Sequence, residues 1–477
     1  MAKLNGVRFK QRTLVTEYSP ISEEVFRKRF ENRKKEPLVD DDRTPKERLA
    51  DQVTPLHRMA YNDQLQLKHK LGRKCMASLK RKVARLPEMS EEGKRQVSWA
   101  FDNEYHCDLL DPIGSPTING YRTKCEFTIG RNPDSEPAVG FLLGLYRDGI
   151  TSVMDPKECL HVPEVAKRIA KAMENYVKAS PYEVYDRGQR TGVWRTLMVK
   201  TQHTGDVMIV VQLKTSDLTE DQLAAEKQSL KRYWAEQKGY TVKTLLLQIW
   251  NGDSNGLHQD ARTELLIGDG YVYEELLGSR FRISHSAFFQ VNTPAAELLY
   301  AKCAEWCNSD QNKKTTLLDL CSGTGTIGIT MANSVDRVVG IEMVPEAVVD
   351  AKINAEMNNI TNAEFYTGKV EDKIDIVAKQ NNEAIVAVLD PPRSGVHTSV
   401  ICAVRESTQI QKVIYISCDA KQAMQNFIGL CRPTSNRYKG LPFKPLRAVS
   451  VDLFPHTEHC ELMIEFVRIE PDKQLPK

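Results

Sequence analysis

The sequence lacks long apolar runs and closely paired cysteines, and both absences restrict what the protein does. No stretch approaches the roughly 18 consecutive apolar residues of a membrane-spanning helix, so we expect no membrane association. The opening residues contain no apolar segment of the kind found in secretory signals. The 11 cysteines are scattered and include no Cys-x-x-Cys pair, which predicts reduced thiols and no metal or iron–sulfur site. We expect an intracellular protein of the cytoplasm or nucleus; the mitochondrion, which the basic opening residues also fit, ranks second.

Acidic residues are missing from one strongly basic segment. Residues 68–85 contain eight Lys or Arg and no Asp or Glu. Apolar residues recur at every fourth position, which predicts an amphipathic helix with cationic outer faces. These apolar residues are Leu67, Leu71, Cys75, Leu79 and Val83. A solvated helix face and a surface that follows the phosphates of a nucleic acid both fit this pattern. Under the second interpretation, Lys80, Arg81 and Lys82 are candidate RNA contacts.

The chain of 477 residues is long enough for about three domains. Residues 1–18 resemble the closing loop and last strand of an RNA-recognition motif. Residues 19–110 read as a charged linker followed by a basic helical region, with a helix start at the capping box Thr44-Pro45-Lys46-Glu47. Residues 111–280 alternate β-rich runs with two helical stretches, which predicts an α+β middle domain. Residues 281–477 alternate strands and helices throughout, the pattern of a doubly wound α/β sheet.

Chemically suggestive residues follow the predicted strands of residues 281–477. In a doubly wound sheet, ligands bind at the carboxyl ends of the strands. The strands are predicted at 316–320, 337–341, 363–366, 385–389 and 412–417, with a final antiparallel pair at 448–453 and 462–467. Asp319, Glu342, Asp390 and Cys418 lie at or just after four of these strands, and Glu461 lies in the final hairpin. Convergence of several segments on one rim is difficult to explain as core packing.

A glycine-rich motif lies at the first of these strand ends. Residues 317–328 contain G-x-G-x-x-G, whose Gly323 and Gly325 let the backbone approach a ligand. Glu342 is placed to accept the hydroxyls of a ribose, as in a dinucleotide enzyme. Asp319 lies where it could reach an ammonium group, which favours S-adenosylmethionine over NAD; a fold without a cofactor is the remaining alternative. The motif Asp390-Pro391-Pro392-Arg393 stands where methyltransferases position their acceptor.

Cys418 and Glu461 are the two reactive groups that methylation of carbon 5 of uracil requires. That carbon becomes nucleophilic only after a thiolate adds to carbon 6. A base must then remove the proton from carbon 5 before the thiol can leave. Asp390 adds selectivity, because a carboxylate pairs with the N3–H of uracil and repels the bare acceptor of cytosine. Enzymes that form 5-methylcytosine in RNA carry a cysteine in the Asp-Pro-Pro-Arg motif, and this chain has none there.

Several segments together resemble the RNA uracil-5 methyltransferase family. They are residues 286–292, the glycine-rich loop, 390–395, 415–418 and 454–461, with 121–124 and 192–195 in the middle domain. The resemblance implies a class I S-adenosylmethionine-dependent methyltransferase fold, a Rossmann-like doubly wound sheet, that methylates the T-loop uridine of tRNA. It also implies that Cys418 is the nucleophile, Glu461 the base, and Gln290, Glu342 and Asp390 ligand contacts. Asp419-Ala420 replaces the Asn-Pro of bacterial members, and the closely spaced cysteines of the ribosomal-RNA branch are missing.

Three further residues are candidate RNA contacts, and two other functions remain as alternatives. Arg122, Arg195 and Phe288 are candidate contacts to tRNA or another structured RNA, although Phe288 and Phe289 fit a core position better than a stacking one. We expect a monomer. The alternatives are a protein that folds tRNA and retains the site as a vestige, and an RNA 5-methylcytosine methyltransferase. Loss of function in a Cys418→Ser variant would favour an enzyme over a folding protein.

Overall fold

The computed structural model describes most of the chain from residue 43 onward. The described residues are 8–9, 12–13, 43–144, 151–254, 256–258, 260–307, 314–378 and 384–469. Within residues 1–42, these include only the antiparallel pair of β1 (Arg8–Phe9) and β2 (Arg12–Thr13). The rest of the expected RNA-recognition-motif remnant and the charged linker lie outside the described residues. Among the described helices, none combines the length and apolarity that crossing a bilayer requires.

The N-terminal region is helical, as the capping box and the basic segment predict. The helices are α1 (Pro45–Val53), α2 (Tyr61–Ala84) and α3 (Glu91–Gln96). Thr44 and Glu47 form the expected reciprocal capping box at the start of α1. The buried face of α2 differs from the predicted apolar stripe. It consists of Gln64, Lys68, Gly72, Met76, Leu79 and Val83, whereas Leu67, Leu71 and Cys75 are only partly buried. Two polar side chains therefore lie inside the protein, each with hydrogen-bond partners described below.

The middle part of the chain forms a seven-stranded sheet in the order β10-β9-β8-β7-β4-β5-β6. Its strands are β4 (Lys124–Arg131), β5 (Pro137–Leu142), β6 (Val153–Met154), β7 (Trp194–Thr201), β8 (Val207–Leu213), β9 (Val242–Ile249) and β10 (Arg262–Ile267). All neighbours are antiparallel except β8 and β9. Helices α4 (Glu164–Ala179) and α5 (Glu220–Ala235) bury apolar residues against it. Strands β5, β6 and β10 were not predicted from the sequence.

The remaining part is built on an eight-stranded sheet. A hairpin of β11 (Val272–Leu276) and β12 (Ser279–Ile283) precedes it and packs into the same apolar core. The strands are β13 (Thr315–Leu320), β14 (Arg337–Glu342), β15 (Ala363–Thr367), β16 (Ala384–Leu389), β17 (Ile410–Ser417), β18 (Phe443–Val451) and β19 (Glu461–Arg468), with β3 (Asp108–Leu109) from the N-terminal region. The helices are α6 (Thr293–Cys307), α7 (Thr326–Met331), α8 (Pro345–Met357), α9 (Val370–Ala378), α10 (Thr398–Glu406) and α11 (Met424–Cys431).

The strand order β15-β14-β13-β16-β17-β19-β18-β3 confirms the predicted doubly wound sheet. The first five strands are parallel, and β19 is antiparallel to both neighbours. Successive residues of β13 point into different cores: Leu317 into one, Leu318 into the other. Burial on both faces explains the continuous apolar runs of the parallel strands. The five predicted parallel strands and the final antiparallel pair all occur within two residues of their expected ends, except β18, which starts five residues earlier.

Candidate active site

Strand register brings Cys418, Asp390 and Glu461 to the same rim of the sheet. The antiparallel ladder of β17 and β19 ends at the pair of Ser417 and Leu462, and Cys418 and Glu461 are the neighbouring residues at that end, where the Glu461 charge raises the pKa of Cys418. Leu389 pairs with Tyr415 in the parallel ladder of β16 and β17, which places Asp390 level with Ile416, two positions before Cys418. These residues are 28 to 71 positions apart in the sequence. The register therefore unites the three residues predicted to act on the uracil.

The glycine-rich loop and two acids form the adjoining part of the rim. Asp319 is fully buried; its Oδ2 accepts a hydrogen bond from the Gly328 amide at 3.0 Å, while Oδ1 has no partner among the described residues. Gly323 and Gly325 both have positive φ, and at Gly325 a Cβ would lie 2.9 Å from Phe365. Glu342 accepts the Gly323 amide at 3.0 Å, which ties the second strand end to the loop. The loop is shaped as the motif predicts.

This rim gathers several buried carboxyl groups whose pKa values are raised. Burial, with a smaller contribution from the Asp390 carboxylate, raises the pKa of Asp319 to about 7 against the opposing effect of the Gly328 amide. Burial likewise raises the pKa of Asp390 to about 7. Glu461, only 3% exposed, has a pKa well above the usual range because of burial and because Asp390 is close. Its Oε2 has no partner in the described part of the chain. Carboxylates gathered in this way accommodate a cationic ligand.

The Cys418 thiol is half-buried beside these acids. Burial, followed by the charges of Glu461 and Asp390, raises the pKa of Cys418 to about 11, while Arg393 acts in the opposite direction. Arg393 also lowers the pKa of Glu461. This arginine closes the Asp-Pro-Pro-Arg motif, but its role as a counter-charge was not predicted. The sequence could have indicated this role, because in the Asp-Pro-Pro-Arg motif a cationic residue follows the rim carboxylate after only two prolines.

Gln290 lies against Asp390, and Phe288 lies two residues earlier. Gln290 Nε2 donates to Asp390 Oδ2 at 3.4 Å, which accounts for its position without assigning it a ligand. Phe288 is 72% exposed, whereas Phe289 is in the core, so the expectation that both are core residues is wrong for Phe288. Lys200, in the middle domain, donates to the carbonyls of Ser284 and Ala287 at 2.7 and 3.0 Å. The sequence did not indicate this link between the two domains.

Helix α2 holds the loop that leads to Glu461. Lys68 Nζ donates to Asp452 Oδ1 at 2.6 Å and to the Phe454 carbonyl at 3.1 Å. The Gln64 side chain accepts the His456 amide at 2.8 Å, and His456 has a φ of +66°, in the left-handed region that non-glycine residues rarely adopt. Burial lowers the pKa of Lys68, and Asp452 opposes that change. The polar residues in the buried face of α2 therefore fix the backbone just before Glu461.

The proposed RNA contacts fall into two groups. Arg195 is 4% exposed and donates to the carbonyls of Trp250, Gly252 and Ser254, so the structure gives it a structural role instead. Lys80 also points inward, with its ammonium group on the carbonyls of Asp102 and Tyr105. Arg81 and Lys82 are exposed, and Arg122 is partly exposed. The cluster Lys80, Arg81 and Lys82 is therefore not one surface, because one member holds a loop.

The described residues contain no group of three or more His, Cys, Asp or Glu side chains placed to hold a metal ion. None of the described cysteines is in a disulfide. The reactive features of the rim are therefore its thiol, its carboxylates and the adjacent Arg393.

Comparison with known proteins supports the resemblance seen in the motifs. Residues 256–468 match the family described as tRNA (Uracil-5-)-methyltransferase. The chain is 38% identical to the human tRNA (uracil-5-)-methyltransferase homolog A over 98% of its own length and 74% of that protein. It is 37% identical to the human homolog B, over 88% of this chain and 84% of that protein.

A solved structure shares the fold. The Pyrococcus abyssi tRNA (uracil-54, C5)-methyltransferase in complex with S-adenosyl-L-homocysteine superimposes with a TM-score of 0.61 and covers 86% of this chain and 85% of that one. At 20% identity, this likeness concerns the fold alone. The sequence relatives carry the assignment, and the chain belongs to the tRNA (uracil-5-)-methyltransferase family.

Proposed function

We propose that this protein transfers the methyl group of S-adenosylmethionine to carbon 5 of a uridine in tRNA, through a covalent bond between Cys418 and carbon 6. The observation that supports the proposal is the register of β17 and β19, which brings Cys418 and Glu461 to the same end of the ladder, where the Glu461 charge acts on the Cys418 thiol. The named relatives act on tRNA, and we propose the T-loop uridine as the target here. The side chains proposed to act on the uridine all belong to one chain, so we propose that the protein acts as a monomer.

The residues at the rim fit the methyl donor. Its ammonium group would meet the unpartnered Oδ1 of Asp319, and its ribose hydroxyls would meet Glu342. Gly323 and Gly325 keep the backbone open to it. When bound, S-adenosylmethionine supplies an electrophilic methyl group and a positive charge. That positive charge would favour the ionised form of the carboxyl groups whose pKa values burial raises.

The chemical sequence assigns one task to each reactive side chain. Cys418 loses its proton, and its thiolate forms a bond to carbon 6, which makes carbon 5 nucleophilic. With a pKa of about 11, the thiol needs help to ionise, and both Arg393 and a bound cation lower that pKa. After methyl transfer, Glu461 removes the proton from carbon 5. The carbon–sulfur bond then breaks, the ring double bond reforms and the thiolate is released.

Asp390 supplies the choice between pyrimidines. An ionised carboxylate accepts the N3–H of uracil and repels the bare N3 of cytosine, which argues against 5-methylcytosine as the product. Gln290 donates to Asp390 and thereby orients the carboxylate. Because a bound cation lowers the pKa of Asp390, donor binding prepares this group for recognition.

Two substitutions stop the reaction at different points. Cys418→Ala should form no covalent complex with RNA. Glu461→Gln keeps the side-chain shape but cannot accept the carbon-5 proton, so it should accumulate a covalent adduct with already methylated RNA. A denaturing gel with labelled tRNA and S-adenosylmethionine would show a slow-migrating band for Glu461→Gln and none for Cys418→Ala.

Wild-type protein provides the matching test with altered RNA. On RNA containing 5-fluorouridine it should form a stable adduct, because fluorine cannot leave as a cation. If neither Glu461→Gln nor the fluorinated RNA yields an adduct, the covalent mechanism is wrong. Mapping of 5-methyluridine in total RNA with and without the protein would identify the modified position, and an unchanged map would contradict the proposed activity itself.

A further inference from the structure

A cavity of about 550 Å³ opens beside Cys418, on the side facing α2. Its floor is apolar and includes Leu71, Cys75, Met424 and Leu462. Its volume lies within the range of small-molecule sites, roughly 300–1,000 Å³. None of the carboxylates predicted to bind the donor or the uracil lines it. The cavity therefore adjoins the nucleophile but is separate from the acidic rim.

The lining of this cavity is cationic above its apolar floor. Lys74 and Lys82 enter it from α2, one pair of helical turns apart, and Lys421 enters from the segment after Cys418. All three are exposed, and none of their ammonium groups has a hydrogen bond or ion pair with a described residue. In contrast, Lys68 and Lys80 of the same helix are held by protein groups. The helix thus separates its structural lysines from those that face the cavity.

Two acids, Asp419 and Glu458, also line the cavity, and Asp419 already accepts hydrogen bonds from the protein. Asp419 accepts hydrogen bonds from the amides of Lys421 and Gln422 and from the Gln422 side chain. Glu458 is exposed at the edge, next to His459. Three ammonium groups therefore stand against two carboxylates, because the hydrogen bonds to Asp419 leave its negative charge in place. An apolar floor with a cationic rim suits a ligand that has a flat base and a phosphate.

We infer that this cavity binds a nucleotide that flanks the target uridine, with its base over Leu71 and Cys75 and its phosphate near Lys74, Lys82 and Lys421. The inference rests on the proposed function and extends it. The target base itself belongs on the other side of Cys418, where Asp390, Gln290 and Glu461 lie. Occupation of both sides at once holds the RNA backbone across the nucleophile.

The charge on the rim is tested with a matched pair of variants. Lys74→Gln/Lys82→Gln should weaken tRNA binding by roughly 10-fold and lower its salt dependence by about two released counterions. Lys70→Gln/Arg85→Gln removes the same charge from exposed positions of the same helix outside the cavity, and should change affinity less than about 2-fold. Equal effects of the two pairs would overturn the inference, since only a general basic surface would remain.

The base on the floor is tested with a cavity-filling variant and abasic RNA. Cys75→Phe and Ser78→Phe each place a ring in the cavity, and agreement between them guards against misfolding of one. For wild type, an abasic nucleotide at one position flanking the target should weaken binding by roughly 10-fold. For the filled variants, the same abasic RNA should bind as weakly as intact RNA. Additive effects, or a wild type insensitive to every abasic position, would contradict the inference.

The adduct with 5-fluorouridine RNA separates this inference from the proposed function. At saturating RNA, the filled variants should still form the adduct, because Cys418 and the acidic rim are intact. Loss of the adduct in folded filled variants would mean that the cavity takes the target base itself, which would overturn the flanking-nucleotide assignment. Absence of the adduct in wild type would instead overturn the proposed function.

Discussion

Cys418 lies between two regions of opposite charge. On one side, Asp319, Asp390 and Glu461 are buried acids, and burial is the main cause that raises their pKa values. On the other side, Lys74 and Lys82 face an open cavity and have no ion pair with a described residue. Each region lacks the charge that one substrate carries. The donor is a cation and the RNA backbone is an anion, so the contrast predicts the donor and the target base on the acidic side and the flanking phosphate on the basic side.

The two regions also differ in how charge is held. The acids are fixed by strand register and backbone amides, so their positions are set before any ligand binds. The lysines are long, exposed side chains that act at a distance and respond to salt. We therefore expect substitutions on the acidic side to affect chemistry and donor binding steeply, and substitutions on the basic side to affect RNA affinity gradually.

Asp390→Asn should produce the largest change. It keeps the size of the side chain but replaces an acceptor with a group that presents an N–H to the N3–H of uracil. We expect uridine methylation to fall by on the order of 10³-fold, the scale of losing a group built to pair with the substrate. Methyl transfer to an unmodified tRNA transcript measures this. Wild-type activity in the variant would remove Asp390 from the site.

Lys68→Met tests a basic residue that we do not expect to bind RNA, because its ammonium group is buried against Asp452. It leaves Asp452 buried without its cation, and we expect roughly 3 kcal/mol of lost stability in denaturant unfolding. Since this contact holds the loop before Glu461, turnover should fall while the KM for tRNA and the 5-fluorouridine adduct are retained.

A second variant separates the charge from the positioning of the loop. Lys68→Met/Asp452→Asn removes the buried charge altogether and should recover most of the stability. It still lacks the ammonium contact to the Phe454 carbonyl, so turnover should recover less than stability does. A rise in KM with unchanged turnover would instead place Lys68 on the RNA side.

The acidic side could be predicted from the sequence largely because it lies at strand ends. Buried strands give continuous apolar runs, and the next residue falls on the rim whatever the side-chain packing. That rule located Asp390 and Cys418, and Asp319 and Glu342 lie within the last two residues of their own strands. Strands β5, β6 and β10 were missed because short or half-exposed strands lack such runs.

The basic side could not be resolved in the same way. The sequence shows which residues are charged but not which groups they contact. The hydrogen-bond partners of Lys68, Lys80 and Arg195 lie in other segments of the chain. Lys68 occupies a buried position that the four-residue periodicity assigned to the exterior. The cavity beside Cys418 depends on the packing of α2 against β18 and α11, which no local pattern encodes.

Asp319→Asn should weaken donor binding by roughly 10-fold and change its pH dependence. With the pKa of Asp319 at about 7, a cation binds only after the proton leaves, so wild-type affinity should rise with pH until the carboxyl is ionised and then level off. The variant should rise less steeply, and Asp390 accounts for what remains. Calorimetric titration with S-adenosylmethionine from about pH 6 to about pH 8 measures both slopes. If affinity changes with pH equally in the variant and in wild type, Asp319 does not bind the donor.

The same variant predicts a stability difference of opposite sign. Because folding raises the pKa of Asp319 from 3.8 to about 7, the folded state favours the protonated form. Without ligand, this carboxyl therefore reduces wild-type stability progressively as the pH rises from about 4 through 7. Asp319→Asn should be more stable than wild type above that range and similar to it below. A melting-temperature difference independent of pH would contradict the raised pKa.

Lys80→Gln should have the smallest effect on RNA binding. It tests whether a lysine of α2 that is held by protein carbonyls contributes to RNA affinity. Lys80 lies two residues before Lys82 on α2, yet its ammonium group donates to the carbonyls of Asp102 and Tyr105 instead of facing solvent. Gln cannot reach both carbonyls, so we expect about 1 kcal/mol of lost stability in unfolding. Affinity for tRNA and its salt dependence should stay within about 2-fold of wild type, whereas Lys82→Gln reduces both. Equal losses of affinity in the two single variants would show that proximity along the helix, and not the partner of each ammonium group, decides which lysines meet the RNA.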